Sequence, residues 1–518
     1  MLWKLGRSFY DDKGHTAWAS GVVPFFITSN PYIAHCYARL VLAYLTDLLC
    51  GPTHATLDRQ QPIYILEIAA GHGKFSFFFL QELQELKAVS PLRDHDIRYI
   101  MADFAESNLA ALDKQEMLEP FRAAGVLDSA QYDVENPGEL TLRRSGATLR
   151  AGELKNPLIV FANYIFDTVA QDLFRVEAQG LHQGLVTLHH PSSASPDLAN
   201  PDVIAQLTID YSYRPISLPH YGDSELDGLL AAYQQQLADS DFLIPIAAIR
   251  CLRKLMELCG GRMLLLSSDK GCTQLDEMFF QRGNHVVHTG SYSCMVNFHA
   301  LARLFAGRGG ASLLTAKRNV SLKTAAYVLG AHAEQLAATR QAFQEFMDRL
   351  GPNDYYRLIS SQKVDSATVE QILSLIYLSR FDPEVFCQLS SVLVTGAASL
   401  CESLREELLA AMQRVQARHY PIGLDLPLEL SRVYLALSRP REALRWCHES
   451  LRSYGERAST WLHATSCFYH AEEPAEALRC ALRALELEPG HAMARSWLAR
   501  LQPDGPSVPP SSAVPPRS

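Results

Sequence analysis

Ile63-Tyr64-Ile65-Leu66-Glu67-Ile68-Ala69-Ala70-Gly71-His72-Gly73-Lys74-Phe75 decides how the first half of this 518-residue chain is read. An apolar run reaches an acid, passes through small residues, and enters an amphipathic segment. That pattern describes a buried strand delivering its backbone to the N-terminus of a helix, where unpaired N–H groups receive ligands. The small residues Ala69, Gly71 and Gly73 let the main chain approach a bound molecule closely. Two other readings stay open at this point. One is a dinucleotide fingerprint built on Gly71-His72-Gly73 and Ser76; the other is a simple glycine turn.

Outward from this motif, strand-like runs at 63–68, 97–102, 158–162, 262–267 and 311–314 alternate with helical patterns at 75–87, 107–116, 246–258 and 298–306. Alternation of this kind predicts a doubly wound α/β sheet whose ligand crevice lies at the carboxyl ends of the strands. Between 171 and 221 the alternation lapses. A hairpin-like pair, 173–177 and 184–188 around Gly180, leads into a Pro/Ser/Asn-rich stretch from 191 to 201. This reads as an insertion at the rim of the site or as a surface loop.

Beyond about Leu322 strands disappear from the pattern. Tyr434/Phe468, Pro440/Pro474, Ala443/Ala477, Leu444/Leu478 and Leu451/Leu485 pair at an offset of 34 residues, the tetratricopeptide (TPR) period. Trp461, Ala484 and Pro489 fill further positions of that signature. The expected organisation is 1–330 (a helical lead-in at 1–60 and the insertion at 171–221), a helical connector at 331–420, TPR-like repeats at 421–502, and a disordered Pro/Ser-rich tail at 503–518.

Composition narrows the class. Apolar content of 48%, charged content of 20% and a net charge of −9 suit a soluble globular protein and argue against a nucleic-acid surface. The 11 cysteines are scattered without a C-x-x-C pair or clustered Cys/His spacing, so no metal site is expected and the thiols read as reduced. No secretory signal is evident, and no stretch approaches the roughly 18 apolar residues of a membrane span. A cytoplasmic protein with no membrane partner is the default expectation.

Acids at successive strand ends give the motif its chemistry. Glu67 closes the first strand. Asp103 closes the second, where a carboxylate can accept hydrogen bonds from ribose hydroxyls, and Phe104 beside it can pack on an adenine face. Asp133 and Val134 follow a weak third strand, where an acid can accept from an adenine amino group. Caps or turns are the competing explanation for both aspartates. Asn163, Tyr164 and Asp167 emerge from the fourth strand as a substrate-orienting cluster, with Asp167 a base or a helix cap.

The motif 67–73 resembles the first motif of class I S-adenosylmethionine (SAM) methyltransferases. Several segments in order resemble the MidA-like SAM-dependent methyltransferases, a family that includes a complex I assembly factor methylating protein arginine. These are Phe26-Ile27-Thr28-Ser29-Asn30-Pro31, the first motif, Asn163 to Asp167, Tyr292 to Phe298, and Tyr355-Tyr356-Arg357-Leu358. The resemblance implies a Rossmann-like class I fold with SAM held by Glu67, Ala69, Gly71, Gly73, Asp103, Phe104, Asp133 and Val134. It implies chemistry at Asn163, Tyr164 and Asp167. Tyr164 stands where the family has Glu, Asn30-Pro31 replaces Pro-Glu, and Asp269-Lys270-Gly271 replaces Asp-Tyr-Gly. Arginine specificity, which needs carboxylates around a planar guanidinium, is therefore not carried over. The expectation is a SAM-dependent methyltransferase acting on a protein or peptide, with the repeats docking a partner. A catalytically inactive SAM-binding scaffold and a small-molecule methyltransferase are the alternatives.

Overall fold

All six residues of the first strand, β1 (Ile63–Ile68), are buried, as a strand covered on both faces requires. A computed structural model describes residues 2–14, 26–50, 57–191, 201–283, 285–288, 292–318, 320–362 and 367–502. The part of the predicted loop at 192–200 and the predicted tail at 503–518 lie outside them. Two compact units result, Met1–Ser360 and Ser361–Ser518, so the helical segment from 331 to 360 belongs to the first.

In the first unit, β1 is followed by β2 (Ile97–Asp103), β3 (Leu127–Gln131) and β4 (Leu158–Asn163). An insertion supplies β5 (Asp172–Glu177), β6 (Gly180–His189), β7 (Thr208–Pro215) and β8 (Ser240–Ile244). The chain then returns as β9 (Met263–Asp269), β10 (Ala311–Leu314) and β11 (Lys323–Leu329). The central sheet runs β3-β2-β1-β4-β9-β11-β10. Strands β3, β2, β1, β4 and β9 pair in parallel, whereas β11 lies antiparallel to both neighbours. This is the Rossmann-like, doubly wound sheet of the class I methyltransferase type. Its order reverses between β1 and β4, which opens a crevice at their carboxyl ends.

Three sequence expectations need correction. Strands do not end at Leu322: β11 is a strand buried along its whole length. Covering both faces removes the polar/apolar alternation that marks a strand, and Lys323 hides its charge by pairing with Glu277. The insertion is more than a hairpin, because β8 and β7 flank β5 and β6 to complete a four-stranded antiparallel sheet. Finally, Phe26–Cys50 is long and apolar enough to cross a membrane, with mean hydropathy 1.3. Its helix is laid instead into the core of this unit. Asp47 near its end accepts from Ala338 N (3.1 Å) and from Thr339 N and Oγ1 (2.8 and 2.7 Å).

Helix α1 (Leu2–Lys13) packs Leu2, Leu5 and Phe9 against Leu173, Ile204, Leu243 and Tyr292. Helix α2 (Pro31–Cys50) and helix α3 (Lys74–Ala88) follow, the latter leaving directly from the Gly71-His72-Gly73 turn. Asn30 caps α2, its Oδ1 accepting from Ile33 N at 3.0 Å.

The second unit is helical throughout its described residues. Its last five helices are α4 (Leu426–Ala436), α5 (Pro440–Tyr454), α6 (Ala458–His470), α7 (Pro474–Leu487) and α8 (Ala492–Leu501). Pro440 and Pro474 open corresponding helices, where a missing N–H costs nothing. Ala443 and Ala477 are fully buried, as small residues at a close helix–helix contact must be. These are the two TPR-like helical hairpins expected from the 34-residue offset, followed by α8.

Candidate functional site

The turn after β1 holds three residues with left-handed backbone: Ala69 (φ 57°), Gly71 (φ 54°) and Gly73 (φ 75°). Glycine adopts this conformation freely; Ala69 pays about 1 kcal/mol for it. The turn is closed by Gly73 N donating to Ala70 O at 2.9 Å. It is tied to the next strand by Gly71 N donating to Asp103 Oδ2 at 3.1 Å. Asp103 thereby joins the two strand ends. Its Oδ1 also accepts from Ala105 N (3.0 Å) and Asn108 Nδ2 (3.2 Å). Burial raises the Asp103 carboxyl above its usual range, and these bonds oppose the rise.

Glu67 is 6% exposed, and its Oε2 accepts from Tyr99 Oη at 2.7 Å and from Ser76 Oγ. Burial pushes its carboxyl up to about 7. At the end of β3, Asp133 Oδ2 takes a hydrogen bond from Arg7 of α1 at 2.7 Å and one from Asn136 Nδ2 at 3.1 Å. Burial raises this carboxyl, but the bonds from Asn136, Arg7 and the backbone of Glu135 outweigh it and hold it below the usual range. The Arg7 guanidinium also lies 4.6 Å over the Phe104 ring. Arg7 thus covers both groups that the sequence assigns to an adenine.

The end of β4 carries the second half of the site. Asn163 Oδ1 accepts from Tyr37 Oη of α2 at 2.7 Å and from Ser268 N at 3.2 Å, while its buried Nδ2 has no partner among the described residues. Tyr164 takes left-handed backbone (φ 49°), with its N–H held by Ser268 O at 3.0 Å. Its hydroxyl is raised above the usual tyrosine range, by burial first and then by Asp269 and Asp167. Asp167 is buried; its N donates to Asp269 Oδ2 at 3.1 Å, and its Oδ2 lies 3.9 Å from Lys270 Nζ. Its Oδ1 is buried without a partner among the described residues. Burial lifts Asp167 to about 6, against the pull of Lys270. Asp269 is raised further, by burial and then by the neighbouring Asp167 charge.

One cavity of about 1120 Å³, including its open mouth, collects most of these groups. Glu67, Ala69, Gly71, Asp103, Phe104, Asp133 and Val134 line it, as do Asn163 and Tyr164. Thr28 and Ser29 of the early segment also reach it. Gly73 and Asp167 are not among the lining residues: Gly73 is the cap of α3, and Asp167 is buried beside Asp269. Sequence reasoning missed Trp3 and Arg7 from α1, because nothing local links a helix near residue 7 to acids more than a hundred positions away. It missed Tyr37 for the same reason. His72, inside the quoted motif, also lines the cavity and stays neutral, its ring pushed to about 3 by burial and then by Lys74. Asp269 and Lys270 carried a usable signal, a polar pair closing the fifth strand of the central sheet.

No family model and no curated protein matches the chain. Among solved structures, a COG1565 superfamily member from Burkholderia thailandensis bound to S-adenosyl-homocysteine is similar at 14% identity and TM-score 0.40, over 65% of this chain and 90% of that one. A second COG1565 superfamily structure from the same organism gives 13% identity and TM-score 0.39, over 64% and 89%. A thermophilic TPR protein of Thermus thermophilus gives 18% identity and TM-score 0.24, over 32% and 89%. The residues of this chain, rather than these remote likenesses, carry the reading of the site.

Proposed function

We propose that the first unit is a SAM-dependent methyltransferase of MidA-like type, acting on a protein or peptide, and that the TPR-like repeats dock a protein partner. The observation that carries the cofactor assignment is the meeting of Glu67, Asp103 and Asp133, from three successive strand ends, around one cavity floored by the 69–71 turn. The residues fit the group. Asp103 Oδ2 accepts one bond in the structure and has room for a ribose hydroxyl. Asn163 Nδ2 is a buried donor lacking an acceptor among the described residues. Glu67 and the turn would hold the methionine end, and Phe104, Asp133 and Val134 the adenine. When bound, SAM supplies a sulfonium methyl group to a nucleophilic lone pair.

The chain's own part is positioning. Asn163, fixed by Tyr37 and Ser268, sets the rim where β4 ends. Asp167, buried beside Asp269 and outside the cavity lining, would act as a positioning group that sets the charge behind Tyr164, with Lys270 beside its carboxylate. Linking a docking array to the same chain raises the effective concentration of a tethered substrate without any added contact at the site.

A SAM-binding scaffold without turnover is the second reading, favoured by Arg7 on Asp133 and by Tyr164 in place of a family Glu. Calorimetry with SAM tests the binding assignment: no heat and no competition by S-adenosylhomocysteine would sink it. Transfer of radiolabelled methyl to lysate proteins, present in wild type and lost in Asp103→Ala, separates enzyme from scaffold. Label in the low-mass fraction would assign a small-molecule acceptor.

A further inference from the structure

The scattered cysteines of the sequence converge in the second unit. Cys447 on α5 and His463 and Cys467 on α6 bring Sγ, Nε2 and Sγ within 4.8 Å of one another. Residues 463 and 467 are one turn apart and share a helix face. Ser431 of α4 reaches the same point. Its Oγ lies 3.0 Å from His463 Nε2, 3.1 Å from Cys447 Sγ and 3.9 Å from Cys467 Sγ, and Cys467 Sγ lies 3.6 Å from His463 Nε2.

Four of the six separations among these atoms run from 3.0 to 3.9 Å, and the two thiols and the imidazole lie within 4.8 Å of one another. Zn–N and Zn–S bonds of roughly 2.0–2.3 Å set tetrahedral ligand atoms about 3.3–3.8 Å apart, within the span of those four separations. We propose that Ser431, Cys447, His463 and Cys467 form a binding site for a thiophilic divalent cation, with Zn²⁺ the best match to its ligands and size.

The surroundings support the assignment. The Ser431 hydroxyl donates to Ala443 O at 2.7 Å, so its lone pairs face the cluster. Cys447, Cys467 and Ser431 are buried, where an isolated charge is costly. Two thiols binding Zn²⁺ release two protons and leave two thiolates whose charge the cation cancels. An ion here joins α4, α5 and α6, tying one TPR-like hairpin to the next. Spacing in sequence could not show this, because the ligands come from three helices and follow no zinc-binding pattern.

The test uses the full chain, purified reduced, equilibrated with Zn²⁺ and passed into metal-free buffer. Elemental analysis is expected to find one zinc per chain, falling at least tenfold in Cys467→Ser and in His463→Ala, and unchanged in Cys480→Ser. Co²⁺ in place of Zn²⁺ should give the intense visible bands of a tetrahedral site and a thiolate charge-transfer band. The cobalt spectrum of the wild type keeps the test valid if a variant fails to fold. Folded, reduced wild type without stoichiometric zinc, or cobalt with only weak octahedral bands, would overturn the proposal. A Cys447–Cys467 disulfide in protein purified without reductant, with no metal bound after reduction, would overturn it as well.

Discussion

Arg7 donates to Asp133 at 2.7 Å while its guanidinium lies 4.6 Å over Phe104, so one side chain from α1 spans the two groups proposed above to hold an adenine. The pair is partly exposed, with side chains 35% and 22% accessible. Such an ion pair is worth about 0.2–1 kcal/mol, and the cation–π contact adds about 0.5–1 kcal/mol. A ligand that takes over Asp133 and Phe104 must displace Arg7 against that sum. Arg7→Ala is therefore expected to tighten SAM binding by roughly three- to thirtyfold. Titration calorimetry measures this, and weaker binding would show that Arg7 helps hold the cofactor.

Asp103 has a structural duty as well as its proposed ligand duty. Asp103→Ala leaves Gly71 N, Ala105 N and Asn108 Nδ2 without their acceptor, at about 1–3 kcal/mol for a buried group. The variant should lose measurable SAM binding and unfold at lower urea concentration. Asp103→Asn, which keeps one oxygen, should recover part of the stability while still binding SAM weakly. If both variants bind SAM like the wild type, the ribose assignment fails.

Glu67 predicts a stability that changes with pH. Its folded carboxyl titrates near 7, against 4.5 ordinarily, so the folded protein holds this proton more tightly than the unfolded chain. The contribution is complete below about 4.5 and fades as pH rises towards 7, by about 3 kcal/mol at most. Urea denaturation of wild type and Glu67→Gln between pH 5 and 8 checks this. The Gln variant should show a flatter profile, since its neutral amide has no proton to lose.

Asp167 predicts the acid limb of a rate profile. With its carboxyl near 6, methyl transfer should decline as pH falls through that value and the carboxylate behind Tyr164 is protonated. Asp167→Asn should lower the rate by about tenfold, the effect of roughly 1.4 kcal/mol in the barrier, and abolish the limb. An unaltered limb in Asp167→Asn would move the titrating group elsewhere.

What was legible in the sequence was local or periodic. A strand, a tight turn and a helix follow one another within the thirteen residues from Ile63 to Phe75, so their residue types report the geometry directly. The 34-residue offset was legible because each repeat must bury the same face of the same hairpin. β11 was not legible: a strand enclosed on both faces shows no alternation, and Lys323 at its start pointed away from a buried element.

The sequence by itself determined the class of sheet, the small-residue turn after β1 and the acids at three strand ends, because these depend on near neighbours and chain order. Only the tertiary structure decided what surrounds them. It brought Arg7 to Asp133, Tyr37 to Asn163 and Asp269 to Asp167 across 126, 126 and 102 positions. It also gathered Cys447, His463 and Cys467 around Ser431. Such contacts are set by how buried faces pack together, which spacing along the chain does not encode.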